Sequence, residues 1–222
     1  MTQTFATTIL KTLENTLDLP KLVETNADPF KTLVVTIISQ NTTDTNTERA
    51  FTILSKKFEI TPKILASAQT GAIEECIKIA GLSKNKTKTI QNASKTIMTK
   101  FQGSLNPILA LPIAKARNIL IDLPGVGPKT ADVVLLFSAN KPTIPVDTHV
   151  NRVSKRLGLA PFDSGYEEVR ACLQAIFEPK DYLTVHLLLI ALGRKYCKAR
   201  RPLCPKCSVN SDCPKNSLGV KQ

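Results

Sequence analysis

The 222 residues suffice for one large or two small domains with a substantial core. With 42% hydrophobic and 22% charged residues, the composition excludes a disordered or fibrous chain and fits an ordinary globular protein. Thirty basic against 18 acidic residues leave a net charge of +12, which reads either as a surface for a polyanionic partner, nucleic acid or an anionic membrane face, or as a basic but non-binding solvated surface. The opening MTQTFATTIL has neither the charged n-region nor the apolar h-region of a signal peptide, and no apolar run approaches the ~20 residues that span a bilayer. An intracellular, thiol-reducing setting is expected.

In chain order, Phe5, Ile9, Leu13 and Leu17 recur at helical spacing. Asp28-Pro29 reads as an N-cap and first-turn pair opening FKTLVVTIISQ, a run β-branched enough to serve as helix or strand. Thr61-Pro62 opens a short helix, Gly81 closes the one containing IEECIKIA, and Ser83 is expected to cap a lysine-rich helix ending near Phe101. Ile77 to Lys100 carries six lysines and no acid, the pattern of a solvated or docking face. IAKARNIL, LPGVG and PKTADVVLLFSA then give helix, tight turn, helix. After the extended KPTIPV come THVNRVSKRLGL, SGYEEVRACLQAIF with Ser164 as expected cap, and DYLTVHLLLIALG. No alternating run is long enough for a sheet, so the fold class is all-α.

In LPGVGPKTADVV, Gly125 and Gly127 make a tight turn, Val126 lies between them, and Pro128 suits the first helical position. The backbone N–H groups of such a turn suit a phosphate oxygen, although the same motif also serves as a plain inter-helix turn. Lys129 then stands in the first helical turn, where the dipole disfavours a cation. It reads either as a phosphate contact or as a nucleophilic amine. The dipole, at about 0.3–1 kcal/mol, cannot by itself deprotonate an amine whose ordinary pKa is ~10.4. Eighteen residues on, Asp147 opens a helix as an N-cap that stays ionised, which also suits a base or a stabiliser of positive charge. His149 and His186 read as satisfied structural histidines.

Cys197, Cys204, Cys207 and Cys213 follow C-x6-C-x2-C-x5-C in a tail poor in apolar residues and rich in basic ones. Such a tail needs a metal centre to organise it, and the spacing suits tetrahedral zinc and an iron–sulfur cluster equally. Cys76 and Cys172 lie singly in helical patterns and read as buried small apolar residues.

LPGVGPKTADVV, TIPVDTHVNRV and the four-cysteine pattern, in that order, resemble the endonuclease III family of helix-hairpin-helix DNA glycosylase/AP lyases; the similarity runs from about Ile37 to Cys213. The resemblance implies two helical domains, a six-helix barrel over residues 24–138 and a [4Fe–4S] domain over 1–23 and 139–222. It implies Lys129 as the Schiff-base nucleophile attacking C1′, Asp147 as the catalytic carboxylate, and the four cysteines as cluster ligands. The turn Gly125, Val126 and Gly127 would grip a backbone phosphate of double-stranded DNA, and Lys198, Arg200 and Arg201 would form a DNA-contacting loop between the first two ligands. SQNTTD resembles the segment that fills the gap left by a flipped nucleotide. There Asn41 takes the plug position with Gln40 just before it, where the family usually has glutamine; Pro128 replaces a residue often basic. The implied enzyme is an intracellular, monomeric repair glycosylase acting on oxidised pyrimidines at the nucleoid, with no membrane partner. Two other readings are a monofunctional mismatch or uracil glycosylase and a non-catalytic DNA-binding module. Against the first stands Lys129, and against the second the pair Lys129 and Asp147.

Overall fold

The computed structural model describes residues 3–20, 23–24 and 27–214. These contain twelve α-helices and no strand. The chain divides into two compact units, Leu22–Lys141 and a second formed by Met1–Lys21 with Pro142–Gln222.

The continuous unit holds α2 (Pro29–Ile38), α3 (Asp44–Lys57), α4 (Pro62–Ser67), α5 (Thr70–Ile77), α6 (Ser83–Phe101), α7 (Asn106–Leu109), α8 (Ile113–Ile121) and α9 (Pro128–Ala139), all numbered after α1 (Gln3–Thr16) at the start of the chain. The ambiguous FKTLVVTII run is helical. Asp28 Oδ1 accepts from Lys31 N at 2.7 Å and Pro29 starts the first turn, so the cap sets the direction before the β-branched residues arrive. Seven of its ten residues are buried, as suits a helix apolar on most of its circumference, and packing overrides the strand tendency. Its Leu33 and Ile37 join Leu54, Leu65, Ile73, Ile90 and Leu120 in one apolar core.

The discontinuous unit holds α1, α10 (Thr148–Arg156), α11 (Tyr166–Ile176) and α12 (Tyr182–Lys195). Its core joins Ile9 and Leu13 of α1 to Val150, Val153, Leu173, Val185 and Leu188. His186 is buried and donates from Nδ1 to Pro145 O at 2.9 Å, a satisfied core histidine.

Two expected caps are replaced. Ser83 is the first residue of α6, and the cap position falls on Leu82, which has φ +50° and no side-chain bond to offer. Ser164 turns away from α11 and donates to Pro161 O at 2.8 Å, leaving Gly165 at the cap. The run Ile77–Lys100 is also not uniformly solvated: Lys86 is 3% exposed.

Candidate active site

The helix–turn–helix over Ile113–Ala139 builds the first part of the site. Val126 N–H closes the turn on Leu123 O at 3.0 Å, and its side chain is buried. The two glycines differ. Gly125 has φ +74°, and a Cβ there would overlap Thr89 Cγ2 of α6, so the fold itself demands a glycine. Gly127 is extended at φ −93°, and a Cβ there would meet nothing within 4 Å. Its bareness satisfies no internal need and leaves room for close approach from outside. Gly127 is also the N-cap of α9 without any side-chain cap, so the positive end of this helix is not covered by a polar side chain. Lys129 comes next but one, half-buried, in the first turn. Behind the turn, Arg117 of α8 grips Asp132 of α9, with Nε to Oδ1 at 2.9 Å and the terminal nitrogen to Oδ2 at 3.0 Å.

In the same unit the segment after α2 carries Gln40 and Asn41, both exposed, with Asn41 at φ +53°. Thr43 caps α3 through Asn46 N at 3.2 Å and ends this short loop.

Asp147, in the other unit, is the N-cap of α10. Its Oδ1 accepts from Val150 N at 2.7 Å, which fixes the carboxylate at the positive end of the helix. An open groove beside it is lined by Thr148, Asn151, Ser164 and Tyr166. His149 points its Nδ1 at the Arg152 guanidinium, 3.1 Å away. Burial pushes the His149 pKa down, and Arg152 and Arg194 push the same way against Asp147.

The four clustered cysteines line one cavity, with Leu157, Leu192, Tyr196 and Val209 supplying its apolar wall. Among the described residues no three His, Cys, Asp or Glu side chains converge as a site for a single ion. Four thiols lining one apolar-walled cavity are the donor set that a thiolate-bound metal centre takes. The Cys207 thiol is pushed up by burial, with Cys197, Cys213 and Cys204 adding to the effect.

Two arginines of α10 set the loop that leaves this cavity. Arg156 donates to Lys198 O at 2.7 Å, Ala199 O at 3.2 Å and Cys197 Sγ at 3.5 Å; Arg152 donates to Cys197 O at 2.9 Å and Gly193 O at 3.1 Å. Lys198, Arg200 and Arg201 are consequently held exposed, with Arg201 at φ +50°.

A family model describing HhH-GPD superfamily base excision DNA repair proteins matches residues 34–179. The endonuclease III of Sulfolobus acidocaldarius is 37% identical over 185 residues, 83% of this chain and 81% of the relative. That of Bacillus subtilis is 36% identical over 188 residues, 85% of this chain and 82% of the relative. The chain belongs to the endonuclease III family of this superfamily.

As an endonuclease III family member it is a DNA glycosylase and AP lyase of base excision repair. Among solved structures it is similar to a non-covalent endonuclease III–DNA complex, at 31% identity and TM-score 0.85 over 97% of this chain and 96% of that one. It is likewise similar to a trapped endonuclease III–DNA covalent intermediate, at 30% identity and TM-score 0.82 over 97% of both chains. Against this family background, sequence reasoning overlooked Arg152 and Arg156. Their i, i+4 spacing on one helix was the available signal.

Proposed function

We propose that Lys129 is the nucleophile of this glycosylase/lyase. Its neutral amine attacks C1′ of a nucleotide swung out of the duplex, the N-glycosidic bond breaks, and the base leaves with its bonding pair. The sugar ring then opens as the C1′–O4′ bond breaks, O4′ leaving with its pair and taking up a proton; the Schiff base so formed acidifies C2′, and loss of that proton expels the 3′ phosphate by β-elimination. Asp147, held in place by Val150 N–H at the start of α10, takes up the proton shed by the lysine and stabilises the cationic sugar.

The observation that carries this reading is the position of Lys129 just past the uncapped, sterically open end formed by Gly127 and Pro128. Val126 N–H is spent on closing the turn, so the N–H groups of Gly125 and Gly127 on either side of it hold a phosphate, which brings the adjoining sugar to the amine. Extrusion of the nucleotide leaves a gap that Gln40 and Asn41 fill. The likeness to endonuclease III–DNA complexes, one of them covalent, supports double-stranded DNA as the partner.

Cys197, Cys204, Cys207 and Cys213 would hold a [4Fe–4S] cluster. When bound, that group cross-links the loop and takes no part in chemistry at the sugar. Arg152 and Arg156 orient the same loop, so that Lys198, Arg200 and Arg201 meet phosphates. The enzyme acts as a monomer inside the cell, on oxidised pyrimidines in nucleoid DNA. Borohydride trapping on duplexes carrying thymine glycol, uracil or a G·T mismatch tests the substrate class. Preferential trapping on thymine glycol supports it, and preference for the mismatch overturns it.

A further inference from the structure

Burying an ammonium is costly unless acceptors surround it. Lys86, in the first turns of α6, is 3% exposed and burial pushes its pKa down. Its Nζ donates to two backbone carbonyls, Ile38 O and Ala80 O, each at 2.8 Å. Both acceptors end helices. Ile38 is the last residue of α2, and Ala80 is the last of the 3-10 turn Lys78–Ala80. Terminal carbonyls lack intrahelical partners and carry the negative end of the helix dipole, so a single cation suits both.

The chain just beyond each carbonyl gives this double hydrogen bond its meaning. Past Ile38 it runs through Ser39 and Gln40 to Asn41, at φ +53°. Past Ala80 it runs through Gly81 to Leu82, at φ +50° and 57% exposed. Both tips thus place a non-glycine residue in the left-handed region, which persists only where the surroundings over-determine it. A methionine or leucine at position 86 would fill the same volume, so packing alone does not ask for a charge there.

We propose that Lys86 is a positioning residue for opening the duplex: it locks the Ser39–Asn41 loop and the Gly81–Leu82 turn into one two-pronged element whose tips enter the DNA together. This rests on the reading that Gln40 and Asn41 fill the gap left by the extruded nucleotide. Lys86 itself touches no substrate. It makes both prongs stiff before DNA arrives, so their ordering cost is met during folding and not during binding.

The test uses the full-length, cluster-containing enzyme and one reacting sugar in two settings: an abasic site within a duplex, and the same site in a single strand where nothing has to be opened. Lys86→Met is expected to slow single-turnover Schiff-base trapping on the duplex by about tenfold or more while leaving the single strand within about twofold. Equal losses on both would reduce Lys86 to a structural role and overturn the proposal, as would no loss on either. A Gln40→Ala/Asn41→Ala variant separates the premise: full activity on the duplex would remove the gap-filling reading on which the proposal stands. If Lys86→Met does not fold, hydrogen exchange on the wild type decides. Common opening kinetics for amides 39–41 and 81–82 support the coupling, and independent kinetics overturn it.

Discussion

Arg117 and Asp132 tie the two helices of the hairpin together through a two-pronged ion pair, 2.9 Å and 3.0 Å, around a carboxylate that is fully buried. The pair fixes how α8 enters the turn and α9 leaves it, and so where Lys129 stands. Removing Arg117 takes two short charge-assisted hydrogen bonds from a fully buried carboxylate. Arg117→Ala is expected to cost about 3–5 kcal/mol in urea denaturation. The double replacement Arg117→Leu/Asp132→Leu is expected to lose far less, which would separate the cost of the carboxylate's lost hydrogen bonds from the worth of the pair.

The two glycines of the turn give opposite outcomes. Gly125→Ala forces a side chain into the left-handed region and against Thr89, and is expected to destabilise by about 1–3 kcal/mol or more. Gly127→Ala meets no atom and no forbidden angle, so its melting temperature is expected to match the wild type. Its affinity for abasic duplex should nevertheless fall several-fold in a fluorescence-anisotropy titration, because the methyl group would occupy the space that the proposed function gives to a phosphate. Unchanged affinity in this variant would mean that the turn only joins helices.

The exposed cations of the cysteine loop predict a salt signature. Replacing Lys198, Arg200 or Arg201 by alanine is expected to lower the slope of log K against log salt by about 0.9 for each phosphate no longer neutralised. Arg156→Ala, which frees Lys198 O and Ala199 O from their anchor, is expected to weaken DNA binding although Arg156 itself is buried. Oxidation and chelation, which would strip the cluster proposed for the four cysteines, are expected to do the same.

The legibility of each feature in the sequence depends on where its partner lies. Asp28-Pro29, Thr61-Pro62 and Asp147 carry their capping partners within three residues, and all three helix starts were readable. Ser83 and Ser164 have the right chemistry for caps, but other backbone paths place Leu82 and Gly165 there. Lys86 looked like its solvated neighbours because its acceptor Ile38 O lies 48 residues away and is a backbone atom, invisible to residue type. The same holds for Arg152 and Arg156, whose carbonyl partners on the cysteine loop lie more than 40 residues on. Features whose partners are local stand out in the sequence; groups bonded to backbone atoms far along the chain do not.

The His149 ring predicts a direction with pH. Its pKa lies below the ordinary 6.5, first because of burial and then because of Arg152 and Arg194, so the unfolded chain binds the proton more tightly than the folded one. The contribution of the neutral ring is fully present above 6.5 and is lost as the pH falls below it. Melting temperatures followed from about pH 8 to about pH 5 should drop less steeply in His149→Asn than in the wild type. A steeper drop in the variant would contradict the assignment of a neutral ring accepting from Arg152.

The most direct measurement is borohydride trapping on a duplex with a single abasic site, wild type against Lys129→Ala, with the adduct mapped by mass spectrometry. A covalent adduct on Lys129 in the wild type and none in Lys129→Ala is the expected result. An adduct of equal yield in Lys129→Ala, or one mapped to another amine, would contradict the mechanism.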